Sequence, residues 1–482
     1  MRQKRPQSDS SPDNIGTTSF EKKLLVAIIL SATALRLASA LYQGNSVESL
    51  PGIYDQISYD ALAQRVVAGY GFSFAEGHWP ATPAGEPTAH WSYLYTLYLA
   101  GVYALFGVNP IVARLFQAVI AGILQPYLAW RLGRRLFGPT AGLIAAALSA
   151  VYIYFFYYAG GLLTETFYLV GILWTFEVAL RLTANDRPSG AAKKWPGPGG
   201  WLWLELGLAI GLTALLRQVF LLFAPFLYLW LWWTLSQRVA STHRLTWSRL
   251  FCWPVLAGLL GATVIVAMLI TPWTMRNYRV FATFVPLNTN AGFAFYWGNH
   301  PIHGTRFIPL LPVDGPSYSD LIPPELRQLN EAELDRALLR ESMKIITADP
   351  TRFVLLSVTR TVEYFKFWPV AESGLVSNIS RVGSFGLALP FMLYGLWLAA
   401  RRLGRADGQP QQPAEIILLL LFVVIYTGIH LLTWTLIRYR LPVDAILLIF
   451  AALGLEDLTR RYLLGAGSFL KYPGLHNVRP GR

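Results

Sequence analysis

Apolar runs of membrane length follow one another along this chain, and Lys and Arg gather at every second junction between them. The first, Leu24 to Gln43, is about 20 residues of nearly unbroken apolar sequence, enough for a helix to cross a bilayer. It lacks a small-residue cleavage site, so it reads as an uncleaved first span. MRQKR, Lys22 and Lys23 precede it. The positive-inside rule therefore sets its start in the cytoplasm and its far end, with the acidic stretch after it, outside. Composition agrees: 54% of residues are hydrophobic and only 14% charged, a balance that an ordinary soluble domain does not reach. The net charge of +13 is dispersed in short clusters between apolar runs, which suits membrane orientation and gives no nucleic-acid surface. A single cysteine, Cys252, leaves no intramolecular disulfide and no multi-cysteine metal site.

Charge decides the register of the remaining runs. Trp91 to Gly107 is apolar enough to tempt a second crossing. If it crossed, Arg131, Arg134 and Arg135 would be stranded outside and Glu165 would fall on the cytoplasmic side, away from Asp55. It is therefore expected to lie as an aromatic-rich helix at the outer interface. The spans then run Ile111–Leu132, Thr140–Tyr158, Thr166–Leu182, Trp201–Leu216, Val219–Leu235 and Phe251–Thr271, followed by Gly386–Ala400, Ile416–Leu432 and Leu441–Leu455. With the first run that makes about ten, in an all-α polytopic membrane protein with both termini inside. Phe353 to Trp368 carries Arg360, Glu363 and Lys366 at spacings of three and reads as a second interfacial helix.

The expected organisation is a cytoplasmic tail (1–22) and an N-terminal transmembrane module (23–271) with its first outer loop at 44–110. An irregular extracytoplasmic segment with its interfacial helix follows (272–380), then C-terminal helices (381–461) and a cytoplasmic tail (462–482). No internal repeat is visible, which argues against an inverted-repeat transporter.

This register collects a set of polar groups at the outer ends of spans. Asp55 and Tyr59 are four residues apart and share one face of a short helix that Gly69 and Gly71 can end. Asp60 is offset from Tyr59 by about 100°. His90 and Glu165 follow in the first and second outer loops, then Arg217 in a tight outer turn. Arg276 and Asn277 lie in TPWTMRNY, and Arg438, Tyr439 and Arg440 in IRYRLP. Arg36, inside the first span, is an intramembrane charge and a candidate site residue on that ground. Two separate carboxylates facing several arginines suit transfer from a phosphate-linked donor: a carboxylate accepts the proton of an attacking hydroxyl, and arginines hold a leaving phosphate through paired hydrogen bonds. For a single arginine, the plainer alternative is an interfacial ion pair anchoring a helix end.

The pieces resemble the GT-C membrane glycosyltransferases, and most closely the glycosyltransferase family 39 group, bacterial relatives of the dolichyl-phosphate-mannose protein mannosyltransferases. The resemblance rests on Arg36-Leu37, on DQISYDALA from Asp55 with the GYGF turn, and on ARLFQAVIAGI from Ala113. It continues through LGRRLFG from Leu132, LLTETFYLV from Leu162, PWTMRNYRVF from Pro272, WGNHP from Trp297 and RYRLP from Arg438. It covers nearly the whole chain apart from the tails. Each motif is weak alone; their order and spacing make the pattern specific. It implies a GT-C-type fold in which the first outer loop supplies the catalytic base, here Asp55. Glu165 takes the place of the next loop's acidic residue, where some members hold a metal or orient the acceptor. Two departures bear on metal use: His90 stands where relatives often have a Pro-rich or acidic stretch, and Asp55 is followed by Gln56 where Asp-Glu is common.

The expected function is an inverting glycosyltransferase of the cytoplasmic (plasma) membrane, its active site facing outside. It would move a sugar from a polyprenyl-phosphate donor to a lipid, glycan or protein acceptor. Asp55 is the expected base. Glu165, Asp60, Tyr59 and His90 would orient the acceptor or a metal, and Arg276, Arg438, Arg440, Arg217 and Arg36 are candidates for the donor phosphate. No cofactor is required on this reading; a divalent metal is compatible with it, with no ligand spacing that decides. The competing class is a polytopic transporter or flippase of a lipid-linked or anionic substrate, with the arginines as its path. A non-catalytic lipid-binding or assembly role is opposed only by the two carboxylates.

Overall fold

The computed structural model describes residues 17–50, 53–185, 200–239, 252–312, 314–371, 373–403 and 412–465. The two tails beyond those limits, Pro51 and Gly52, and the basic loops at 186–199 and 240–251 lie outside the described residues, as do 404–411. The described residues contain no β-strand, only three isolated bridges.

Every apolar run is helical over most of its length. The helices are α1 (Ser19–Gln43), α2 (Asp55–Val67), α3 (Tyr93–Phe106), α4 (Pro110–Phe137), α5 (Pro139–Val151), α6 (Ile153–Gly160), α7 (Glu165–Asn185) and α8 (Gly200–Leu216). Then come α9 (Ala224–Val239), α10 (Trp253–Phe281), α11 (Ala291–Asn299), α12 (Glu331–Ala348), α13 (Pro350–Tyr364), α14 (Leu375–Leu403), α15 (Gln412–Leu432) and α16 (Leu441–Gly465). Seven are long and apolar enough to cross a membrane, or eight if α5 and α6, bent by 48° at Tyr152, count as one. The remaining two of the ten expected spans are α8, only 17 residues long, and α16, which carries Asp444, Glu456 and Asp457. α16 packs against α4, α5, α7 and α14, which bury Asp444 and Glu456 in protein, while Asp457, in its half-exposed end, pairs with Arg461. This is a multi-pass membrane protein.

Ion pairs define one end of the bundle. Glu21 at the start of α1 bonds Arg134 near the end of α4; Arg131 bonds Glu177 of α7 at 2.5 Å, and Arg181 bonds Glu205 of α8. Arg402, in the last turn of α14, lies over Phe137. The charged residues described at these junctions thus meet at a single end.

The opposite end holds the first loop, and its hydrogen bonds show that α3 does not cross. Ser92, capping the start of α3, donates to the carbonyl of Leu215 at the end of α8. Beyond its other end, α4 begins beside the end of α1: the amide of Ile111 donates to Asn45, and Arg114 donates to the carbonyls of Gly44 and Ser46. Both ends of α3 therefore sit at the same end of the bundle, as charge required. At 14 residues it is about 21 Å long, against roughly 30 Å of hydrocarbon.

One sequence boundary shifts. α10 continues past the expected end at Thr271, through Pro272 to Phe281, so Arg276 and Asn277 ride on its last turns. In the polar segment that follows, Phe293, Tyr296 and Trp297 of α11 pack with Ile322 and with Leu334 and Leu338 of α12 into a small core of its own. Arg360 of α13 leaves the charged stripe expected of it: it is buried and donates to Leu431, Gly298 and Asn299, so only Glu363 and Lys366 pair beside it.

Candidate active site

The site assembles from four helix ends. Asp55 is the first residue of α2 and Glu165 the first of α7, where exposed backbone N–H groups favour a carboxylate. Arg217 sits in the break after α8, and Arg438 in the tight turn Ile437–Arg440 before α16. Arg438 grips Asp55 with both arms of its guanidinium, Nη1 to Oδ2 at 2.6 Å and Nη2 to Oδ1 at 3.2 Å. The same Nη1 reaches Glu165 Oε1 at 3.4 Å. Glu165 Oε1 also accepts from Arg217 Nη2 at 2.5 Å, and Arg217 Nε donates to Thr164 Oγ1 at 2.8 Å. The result is an alternating chain, Asp55, Arg438, Glu165, Arg217, with no net charge and little solvent.

Electrostatics follow from that alternation. Burial alone would raise the Asp55 pKa, but Arg438, by charge and hydrogen bond, and then Arg217 hold it below the ordinary carboxylate value. Burial opposes ionisation of Arg438 too, and the Asp55 charge more than compensates. As it stands, Asp55 is an ionised but weak base.

Tyr59 lies beside the chain, edge-on to Trp91 and Tyr95 at ring-centroid distances of 5.4 and 5.0 Å. Burial, and after it the charge of Asp55, pushes its phenol well above the usual range, so it stays a donor. His90 packs edge-on against Trp79, Trp91 and Phe293 and places Nδ1 at 3.0 Å from the carbonyl of Thr289. Burial holds it below its ordinary pKa despite Glu331.

Other predicted members go elsewhere. Asp60 is about 140° around α2 from Asp55, and its carboxylate accepts from Tyr103 at 2.5 Å and Gln64 at 2.7 Å instead of joining the arginines. Arg36 is wholly buried in the bundle, donating to Gln125 and to the carbonyls of Ser149 and Ala32. Arg276 binds the first loop to α10 through Thr88, Phe72, Tyr93 and Asn277. Arg440 pairs with Asp444 at 2.9 Å, and Asp444 also accepts from Tyr152. The structure thus brings two of the five candidate arginines to the carboxylates and gives the other three to helix packing.

Sequence reading missed several supporting groups. Gln56 donates to the carbonyl of Glu48 and accepts from Arg114 and from the amide of Leu162, tying both loops together. A carboxylate there could not donate to Glu48, which accounts for Gln beside Asp55. Glu331 accepts from Thr82, the amide of Ala89 and Thr289, locking the first loop to α12. His430, a lone imidazole in the apolar α15, stacks on Tyr439 at 5.0 Å; its isolation in a membrane run was the available signal.

The acidic groups do not form a metal cage. The Arg438 guanidinium contacts both Asp55 and Glu165, and no three His, Cys, Asp or Glu side chains among the described residues converge on a common point.

A bundle with interfacial helices at one end and an acidic first loop beneath them is a GT-C-type membrane fold. Among solved structures, the apo oligosaccharyltransferase of Archaeoglobus fulgidus matches with a TM-score of 0.58 at 15% identity, over 94% of this chain and 53% of that one. The archaeal oligosaccharyltransferase AglB from the same organism, solved with an inhibitory peptide and a dolichol-phosphate, matches with a TM-score of 0.57 at 15% identity, over 94% of this chain and 52% of that one. This chain therefore spans about half the length of those proteins. ArnT from Cupriavidus metallidurans gives a TM-score of 0.41 at 15% identity, over 92% of this chain and 78% of that one. No protein-family model and no curated protein sequence matches the chain.

Proposed function

We propose that this protein is an inverting glycosyltransferase of the GT-C class, related to the family 39 group, that uses a polyprenyl-phosphate-linked sugar and acts at the end of the bundle opposite the basic clusters. The observation that carries the reading is the Asp55–Arg438–Glu165–Arg217 chain: an acceptor of protons shares a guanidinium that also suits a phosphate. The fold supports it, since one protein that shares the fold was solved with a dolichol-phosphate. By the distribution of Lys and Arg, that end faces away from the cytoplasm.

In the proposed reaction, the donor phosphate takes hydrogen bonds from Arg438 and Arg217, and Arg438 loosens from Asp55. The carboxylate, freed of its partner, gains basicity. An acceptor hydroxyl then attacks the anomeric carbon from the face opposite the phosphate, the new glycosidic bond forms as the carbon–oxygen bond to phosphate breaks, and the hydroxyl proton passes to Asp55. The leaving phosphate takes the bonding electron pair and gains a negative charge, which Arg438 and Arg217 stabilise as it develops. Glu165 holds Arg438 and Arg217 in register. With a guanidinium against both carboxylates, the proposed chemistry uses no metal.

The test is sugar transfer by purified protein in liposomes carrying a panel of radiolabelled polyprenyl-phosphate sugars, with cell-envelope glycolipids analysed by mass spectrometry with and without the chain. Transfer with inversion, unaffected by chelator, is expected. Export or flipping of a lipid without any new glycosidic bond would reject the reading in favour of a transporter.

A further inference from the structure

At the same end of the bundle, a buried imidazole has no role in the chain of charges. His430 lies in the last turn of α15 and is 7% exposed. Its ring is boxed by Tyr364, Tyr426 and Tyr439, with centroids at 6.2, 4.9 and 5.0 Å. Tyr439 is the wall it shares with the site: the guanidiniums of Arg217 and Arg438 lie 5.4 and 5.2 Å from that ring.

One ring nitrogen is accounted for and the other is not. Nδ1 is 3.3 Å from the carbonyl of Trp434, and a carbonyl only accepts, so Nδ1 carries the hydrogen. In the neutral ring that leaves Nε2 as a bare acceptor, buried and without a hydrogen-bond partner among the described residues. Nε of Arg438 is likewise buried and unpartnered, as is Nε of five other arginines, whereas His430 Nε2 is the only histidine nitrogen so left among the described residues. Buried polar atoms are nearly always satisfied, so an imidazole acceptor left bare beside a site suits a ligand hydroxyl. The two ask for complementary things: Arg438 Nε is a cationic donor and seeks an anionic oxygen, whereas His430 Nε2 is an acceptor and seeks a hydroxyl.

We infer that His430 and Arg438 form a subsite for a hydroxyl-bearing phosphate ester, with His430 Nε2 accepting a hydrogen bond from a hydroxyl of the transferred sugar while Arg438 holds its phosphate. This rests on the glycosyl-transfer reading and deepens it: His430 becomes a residue that distinguishes a glycosylated lipid phosphate from a bare one. A phosphate monoester loses its second proton at about pH 6, so at about pH 8 the bare lipid carries no hydrogen to donate and cannot serve a bare Nε2.

The experiment uses full-length protein in nanodiscs with 15N-labelled histidine, the His430 signal being assigned from its loss in His430→Gln. Undecaprenyl phosphate is compared with undecaprenyl phosphates carrying glucose, mannose, galactose or arabinose, and binding of each is measured by tryptophan fluorescence in the same samples. The expected result is a neutral ring with hydrogen on Nδ1, whose Nε2 resonance shifts with at least one glycosylated lipid and not with undecaprenyl phosphate. His430→Phe keeps the stacked ring without the acceptor. It should bind undecaprenyl phosphate normally and lose about five- to tenfold in affinity for the sugar-bearing lipid, as for one hydrogen bond. An equal shift with the bare lipid, or no shift while the glycosylated lipids bind, overturns the subsite and leaves glycosyl transfer standing. Failure of every lipid to bind overturns the donor reading itself, and the subsite with it.

Discussion

Replacing Asp55 by Asn separates the proposed base from the ion pair that holds it. Asn keeps the size and one acceptor oxygen but removes the charge, so the four-member chain passes from neutral to a net charge of +1 (Arg217, Arg438 and Glu165). Breaking a buried pair costs roughly 3–5 kcal/mol. Here the loss is smaller, because the Asp55 side chain is 22% exposed, Arg438 keeps Glu165 at 3.4 Å, and the amide oxygen still accepts a hydrogen bond; about 2 kcal/mol is expected. Turnover should fall by about 10² to 10⁴, the usual share of a general base. Donor affinity should hold or improve, since Arg438 no longer has to leave a carboxylate to meet a phosphate. The assay is transfer kinetics with purified protein, kcat and donor KM resolved separately, alongside thermal unfolding. Asp60→Asn is the control: that carboxylate serves Tyr103 and Gln64, so its loss should leave turnover within about threefold. Near-normal kcat in Asp55→Asn, or equal losses in both variants, would refute the assignment, as would a raised donor KM with kcat intact.

Four further outcomes are expected. Because Asp55 is held below the ordinary carboxylate value, its pair with Arg438 stabilises the fold above about pH 4 and that stability is lost as pH falls through the depressed value; the acid limb of kcat/KM should lie below about pH 4 and move upward in Arg438→Met, where only the weaker Arg217 and His90 charges still oppose burial. Arg217→Lys keeps charge but loses the planar fork whose Nε and Nη2 reach Thr164 and Glu165 at once, so donor KM should rise about tenfold with normal membrane insertion, measured by transfer assay. Cysteines at Ala84 and Val108 in a Cys252→Ser background should label from the same side of sealed vesicles, since α3 does not cross; Gly85 is avoided because its φ of +75° disfavours a side chain. Treatment with a chelator followed by Mg²⁺ or Mn²⁺ should leave transfer unchanged, and activity that vanishes and returns would show that transfer needs a divalent metal.

The sequence alone determined the helical class, the register of the spans and the end at which Asp55 and Glu165 meet. These depend on run length and on where Lys and Arg cluster, quantities that every stretch of chain carries locally. The same charge argument kept α3 from being counted as a crossing, and the bonds of Ser92 and Ile111 agree. Only the tertiary structure decided which arginines serve the carboxylates. Arg438 and Arg440 are two residues apart in one motif, yet one grips Asp55 across 383 positions of sequence while the other pairs with Asp444 four residues on. A guanidinium accepts carboxylates and backbone carbonyls alike, and which it meets is set by the packing of helices remote in sequence. Arg36 and Arg276 went to carbonyls and amides for that reason, and Gln56, Glu331 and His430 acquired their places from partners that no local pattern announces.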